Sequence, residues 1–220
     1  MRSGALSAKC SSAVQSTELI LHKVGLAMVD YEVQVRQVVG GARWLVAALA
    51  VRDVGPPNAY IAAGALRDTV WNSLTHRPTS EPAGDVDVVY FNPNEPSGCA
   101  DQYEGALTRR LDRLRWKVTN QAFVHRWYAD TPGTDVRPCL SLVGGISTWP
   151  ETATAVAIRL GVDERVEIIA PFGLDDLFGL VVRRNPTRAT AAMYESRVAA
   201  KKWASRWPEL RILPGRSARW

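Results

Sequence analysis

The sequence predicts an α/β (α+β) fold, a mixed central sheet flanked by helices, and three observations carry that expectation. Asp85 to Phe91 is the clearest strand, and at its start Asp85 and Asp87 alternate with Val86 and Val88, as in a strand with two unlike faces. The short apolar run Ala59-Tyr60-Ile61-Ala62 gives way at Gly64 to Leu66, Val70, Trp71 and Leu74 at helical spacing, so a strand hands over to a helix. Thr154–Leu160 and Arg165–Ala170 read as paired strands around the turn Gly161-Val162-Asp163-Glu164.

The other elements fall into place in chain order. Helical spacing runs through Val38, Trp44, Leu45, Ala48, Leu49 and Arg52 and stops at Gly55-Pro56-Pro57. His76 to Gly84 and Asn92 to Gly98 are loops by their Pro, Ser, Asn and Gly content. Tyr103 to Leu114 has an amphipathic helical pattern, and a strand is expected over Lys117 to Val124. Leu140 to Ile146 reads as a short helix. A further helix begins at Pro171 and runs through Leu174, Leu177 and Phe178, and a last one spans Thr190 to Arg206 before Trp207-Pro208.

A length of 220 residues suits one well-packed domain with additions. We expect a flexible extension over 1–27, the domain over 28–213 and a basic tail over 214–220. No apolar run reaches the roughly 20 residues of a membrane-spanning helix, because Arg43 and Arg52 bracket the apolar stretch Trp44 to Val51. Three scattered cysteines form no zinc-spaced pair, which fits a reducing, cytoplasmic setting. The net charge of +5 favours anionic partners. It concentrates at Arg197, Lys201, Lys202, Arg206, Arg211, Arg216 and Arg219, opposed only by Glu209. A solvated helix face with a loose end is the leading account of that cluster, and a track for a polyanion is the other.

Chemistry concentrates in two places. Asp85 and Asp87 share one strand face, and two adjacent carboxylates repel unless a cation lies between them. Oxygen donors of this kind suit Mg²⁺, with Mn²⁺ an alternative, completed by phosphates and water. Gly64 permits close approach of a ligand to the backbone, and the first N–H groups of the following helix form an anion site. Arg67 in the first turn is placed to reach a phosphate. A Walker A lysine, a GxSxG elbow and an HExxH pair are all absent from the sequence, so the enzyme classes they mark have no support.

Gly64-Ala65-Leu66-Arg67-Asp68 followed by Asp85-Val86-Asp87 resembles the GGxVRD…DxD signature of the nucleotidyltransferase superfamily, most of all the head domain of CCA-adding enzymes and poly(A) polymerases. The phrases Asn120-Gln-Ala122 with His125, Trp149 to Val156, Ala170 to Phe178 and Lys202-Trp203 with Trp207-Pro208 resemble a family of small bacterial nucleotidyltransferases, over about Ala42 to Leu213. The resemblance implies a nucleotidyltransferase fold and transfer of a nucleoside monophosphate from an NTP to an acceptor hydroxyl, with release of pyrophosphate. It implies Asp85 and Asp87 as catalytic metal ligands, and Gly64, Ala65 and Arg67 as the nucleotide-binding turn. The acceptor could be RNA, a protein or a small molecule. Two departures stand out. The double glycine is Ala63-Gly64 here, and the place of a third carboxylate holds Asn120, with Glu151 and Glu167 as substitutes from later elements. That gap motivates a second reading, a nucleotide- or RNA-binding module of the same fold without catalysis.

Overall fold

Val86, Val88 and Tyr90 are buried in the main apolar cluster while Asp87 lies on the opposite face, so the alternation of this segment becomes a strand with a core side and a polar side. This is seen in a computed structural model, in which residues 30–78, 84–128 and 136–216 are described. The chain divides into Met1–Asp30 and Tyr31–Trp220, and every element below belongs to the second. The extension expected over 1–27 and the end of the basic tail, 217–220, lie outside the described residues.

In order, the elements are α1 (Tyr31–Val39), α2 (Ala42–Val54), β1 (Tyr60–Ala62), α3 (Ala63–Leu74), β2 (Val86–Tyr90), α4 (Cys99–Arg110) and β3 (Trp116–Asn120). They are followed by α5 (Leu142–Ile146), β4 (Ala157–Leu160), β5 (Val166–Ile169), α6 (Asp175–Phe178), β6 (Val181–Val182), α7 (Ala191–Lys201), α8 (Trp203–Arg206) and β7 (Arg211–Ile212). The central sheet has the order β3-β2-β1-β4-β5. Only β2 and β3 run parallel, joined through α4, and the remaining pairs are antiparallel, so the sheet is mixed as expected.

One sheet face contributes Val86, Val88, Ile61, Val118 and Ile158 to a core shared with α1 to α4, α7 and α8. The other carries a smaller cluster of Tyr60, Ala62, Val89 and Ala157 against Ile146 of α5, with Trp149 and Phe172 at its margin. Beneath α3, Trp71 meets the rings of Trp203 and Trp207 edge-on, at 6.3 and 5.2 Å, and all three indoles are fully buried. The indole N–H groups of Trp71 and Trp207 donate to Leu177 O and Asn72 Oδ1, which satisfies them inside the core.

Several boundaries differ from the sequence expectation. The first helical stretch is two helices broken at Gly40-Gly41. The helix expected over Tyr103 to Leu114 begins at Cys99 and ends at Arg110, so Trp116 and not Lys117 opens β3. The segment after Pro171 makes a single turn, Asp175–Phe178. The final helix breaks at Lys202, whose φ of 49° is left-handed, and α8 leaves in a new direction. The pairing of β6 with β7 has no counterpart in the expected elements.

Candidate active site

The antiparallel register of β1 on β2 sets Ala62 directly opposite Asp87. Ala62 is the residue before α3, so the sheet itself brings the glycine turn and the paired carboxylates together. At Gly64 a β-carbon would meet only Arg67 Nη2 at 3.7 Å, an ordinary contact. Among the described residues nothing else crowds this position. Ala65 behind it is buried in the core and offers only its backbone N–H. The N–H of Ala63 donates to Val156 O at 3.0 Å, which fixes the entry into the helix.

Ala63 itself has φ +56°, the left-handed region. A β-carbon there costs about 1–2 kcal/mol, while glycine adds back some chain entropy on unfolding. Ala63→Gly is therefore expected to stabilise the fold by about 1 kcal/mol, read as a higher urea midpoint at unchanged slope. A lower midpoint would show that the Ala63 methyl contributes more through its packing on the smaller cluster than the backbone strain costs.

Asp85 and Asp87 stand in different surroundings. Asp85 is more than half exposed and has a loose ion pair with Arg115 at 3.5 Å. Asp87 is partly buried, and burial pushes its carboxyl above the ordinary range, with the Asp85 charge adding to the shift. Lys117, Lys201 and Arg197 oppose it. Burial and the second carboxylate outweigh these cations at Asp87, and a divalent cation between the two carboxylates would relieve what remains. Two oxygen-donor side chains fit Mg²⁺, which takes one or two carboxylates and leaves other positions to phosphate and water. Among the described residues no group of three or more His, Cys, Asp or Glu could hold a metal, so the donor set does not resemble an all-protein cage.

Arg67 is placed otherwise than a phosphate-reaching arginine requires. Its Nε and Nη2 donate to Asp68 Oδ1 at 3.0 and 2.6 Å, and its Nη1 donates to Thr154 Oγ1 at 2.8 Å. The guanidinium lies 4.9 and 4.8 Å from the ring centres of Trp71 and Trp203, and the residue is 4% exposed. Arg206 holds the other oxygen of Asp68 at 3.1 Å. Arg67 thus fastens the first turn of α3 to Thr154 and to the tryptophan cluster.

The three residues named for a third acid are dispersed. Asn120 pairs with Tyr90 on the core side of β3, away from the Asp87 face. Its amide Nδ2 donates to Asn92 O and Glu95 Oε2 at 2.8 and 2.9 Å, and Oδ1 accepts from the N–H groups of Asn92 and Ala122, clamping two loops. Glu167 shares the Asp87 face but lies three strands away, on the order of 15 Å. It is held below the ordinary range chiefly by Arg159, which donates to both its oxygens, with the Tyr60 hydroxyl as a further donor. Glu151 is fully buried and accepts from Arg197 Nε at 2.6 Å.

The position beside Asp87 on β3, on the same face, is occupied by Lys117. Its parity in the strand could have been read from the sequence once the strand was begun at Trp116. Asp176, read as a helix-opening acid, holds Arg183 through both oxygens at 2.8 and 3.0 Å and accepts the Thr152 hydroxyl at 2.6 Å. Burial pushes it up, but these bonds and the Arg183 charge bring it below the ordinary value. Trp203 and Trp207 are core residues, as their spacing suggested.

A five-stranded mixed sheet with helices packed on it, carrying paired carboxylates beside a strand-to-helix glycine turn, defines a nucleotidyltransferase fold. The family model described as Nucleotidyltransferase matches residues 49–212, more than half of the chain, and the chain belongs to that family. An NMR structure described as revealing a CCA-adding enzyme head domain superposes with a TM-score of 0.70 at 24% identity, over 81% of this chain and 94% of that one. A CCA-adding enzyme in complex with CTP gives a TM-score of 0.49 at 17% identity, over 81% of this chain and 42% of that one. A tRNA-processing enzyme complex gives 0.47 at 19% identity, over 77% and 43%. The chain spans less than half of these last two proteins. No curated protein matches the sequence. Among the described residues no helix is long and apolar enough to cross a membrane.

Proposed function

We propose that this protein transfers a nucleoside monophosphate from an NTP to an acceptor hydroxyl. The observation that carries the reading is the register of Ala62 on Asp87, which joins an uncrowded glycine turn to that carboxylate, with Asp85 just before the strand and close enough to act on it. The N–H groups of Gly64 and Ala65 would seat phosphate oxygens at the positive end of α3. Asp85 and Asp87 would hold Mg²⁺ or Mn²⁺. The chemistry such an ion supplies when bound is neutralisation of charge on the phosphoryl oxygens. The acceptor oxygen forms a bond to the α-phosphorus, the bond to pyrophosphate breaks, and the hydroxyl proton leaves to water. Arg67 acts as a positioning residue, since its hydrogen bonds hold the first turn of α3 against Asp68 and Thr154.

A second reading, a nucleotide- or RNA-binding module without turnover, is favoured by one observation. Lys117, a cation, stands beside Asp87 where a third carboxylate would complete the pair. Incubation of the protein with each labelled NTP, Mg²⁺ or Mn²⁺ and a cell extract containing RNA, protein and small molecules separates the two. Transfer of label to an acceptor with stoichiometric pyrophosphate is expected. Metal-dependent NTP binding by calorimetry without pyrophosphate release would establish the module instead.

A further inference from the structure

Arg67 has every guanidinium nitrogen committed within the protein, so a triphosphate on the glycine turn needs its positive charge from elsewhere. One supply is α7. Arg197 and Lys201 are four residues apart on that helix and so share a face. Trp203 connects them to the site. Its ring is covered by Arg67 of the α3 first turn at 4.8 Å and approached by Arg197 at 5.9 Å. Arg206, just beyond, is bonded to Asp68 of the same turn. Both α7 cations are near enough to Asp87 to act on its carboxylate. Lys117 is near it as well, but on β3, which flanks β2 on the side away from β1 and the glycine turn.

Glu151 supplies the second line of evidence. It is fully buried, and its Oε2 has no hydrogen-bond partner. Among the described residues it forms an ion pair with Arg197 alone. A buried carboxylate with one bare oxygen is costly. Its bond takes only Nε of Arg197. Among the described residues no hydrogen bond uses either terminal amino group, and the side chain is one-third exposed. The carboxylate thus aims a guanidinium outward without consuming the fork that recognises phosphate.

We propose that Arg197 and Lys201 are the cations that bind the triphosphate, and that Glu151 is the residue that positions Arg197. This rests on the reading of the site as an NTP site. Its test uses the full chain, inorganic tripolyphosphate with Mg²⁺ as one probe and Mn²⁺ alone as another, both by calorimetry. Lys201 is exposed, so Lys201→Gln keeps the fold. The double substitution Glu151→Gln/Arg197→Gln removes the ion pair without stranding a buried charge. Each variant is expected to lose about tenfold or more in tripolyphosphate affinity, the scale of one charge-assisted hydrogen bond. Mn²⁺ affinity is expected to stay the same or tighten, because positive charge beside Asp87 has been removed. Variants that are folded by circular dichroism and bind tripolyphosphate as the parent does would overturn the assignment of these cations while leaving the NTP reading standing. A parent protein that binds neither Mn²⁺ nor tripolyphosphate would overturn both.

Discussion

Asp87→Asn is expected to change two measurements in opposite directions. Without one of its two carboxylates the site loses metal-dependent nucleotide affinity, and turnover should fall about a thousandfold. That follows from several kcal/mol of charge stabilisation at about 1.4 kcal/mol per factor of ten. In EDTA, however, the variant should be more stable than the parent at neutral pH. Burial and the Asp85 charge raise the Asp87 carboxyl on folding, so the folded protein binds this proton more tightly than the unfolded chain does. The resulting destabilisation is fully present above the raised folded value. It shrinks as pH falls through that value and vanishes below the unfolded value near 3.9. Melting curves from pH 3 to 8 should therefore show the asparagine variant ahead at pH 7 and level with the parent at the acid end. A variant that is less stable at pH 7, with nucleotide binding intact, would mean that Asp87 is a structural ion-pair partner of Lys117 and the α7 cations.

The largest loss of stability is expected from Trp203→Ala. This ring is fully buried, meets Trp71 edge-on at 6.3 Å and forms one wall of the Arg67 sandwich. Truncation of a buried tryptophan costs about 3–5 kcal/mol through lost transfer energy and the cavity left behind. Loss of the indole wall from a desolvated guanidinium adds to it. Trp127→Ala serves as the comparison, since that ring is 64% exposed and its removal should be within about 0.5 kcal/mol of neutral. Urea unfolding followed by circular dichroism measures both. Similar midpoints for the two variants would show that Trp203 is not a keystone of the α3–α8 packing.

The sequence made the candidate site legible because strand parity is local. Val86 and Val88 alternate with Asp85 and Asp87, and Gly64 interrupts an apolar run three residues before a helical repeat is established. The hairpin of β4 and β5 was equally plain from its turn residues. What stayed hidden depends on distant partners or on backbone choices without punctuation. Lys202 adopts a left-handed conformation although neither Gly nor Pro marks the spot, so α7 and α8 read as one helix. The two-residue strands β6 and β7 are too short to show any alternation. Arg67 looked like an exposed first-turn cation, because the residues that bury it, Thr154 and Trp203, lie far along the chain. Arg197 and Lys201 were visible as charges, but a four-residue spacing does not say whether a helix face meets water or an active site.

The end of the described chain has a bearing on events far from it. β7 lies parallel to β6, and the Tyr194 hydroxyl sits 2.9 Å from the carbonyl oxygens of both Val182 and Leu213. Tyr194 is on α7, one turn ahead of Lys201's partner Arg197. The helix bearing the two cations is thus tied in its N-terminal half to Val182 of β6 and to Leu213, the residue after β7. Unpairing β7 from β6 would therefore disturb the seating of α7 as well, although neither strand belongs to the central sheet that carries Asp87.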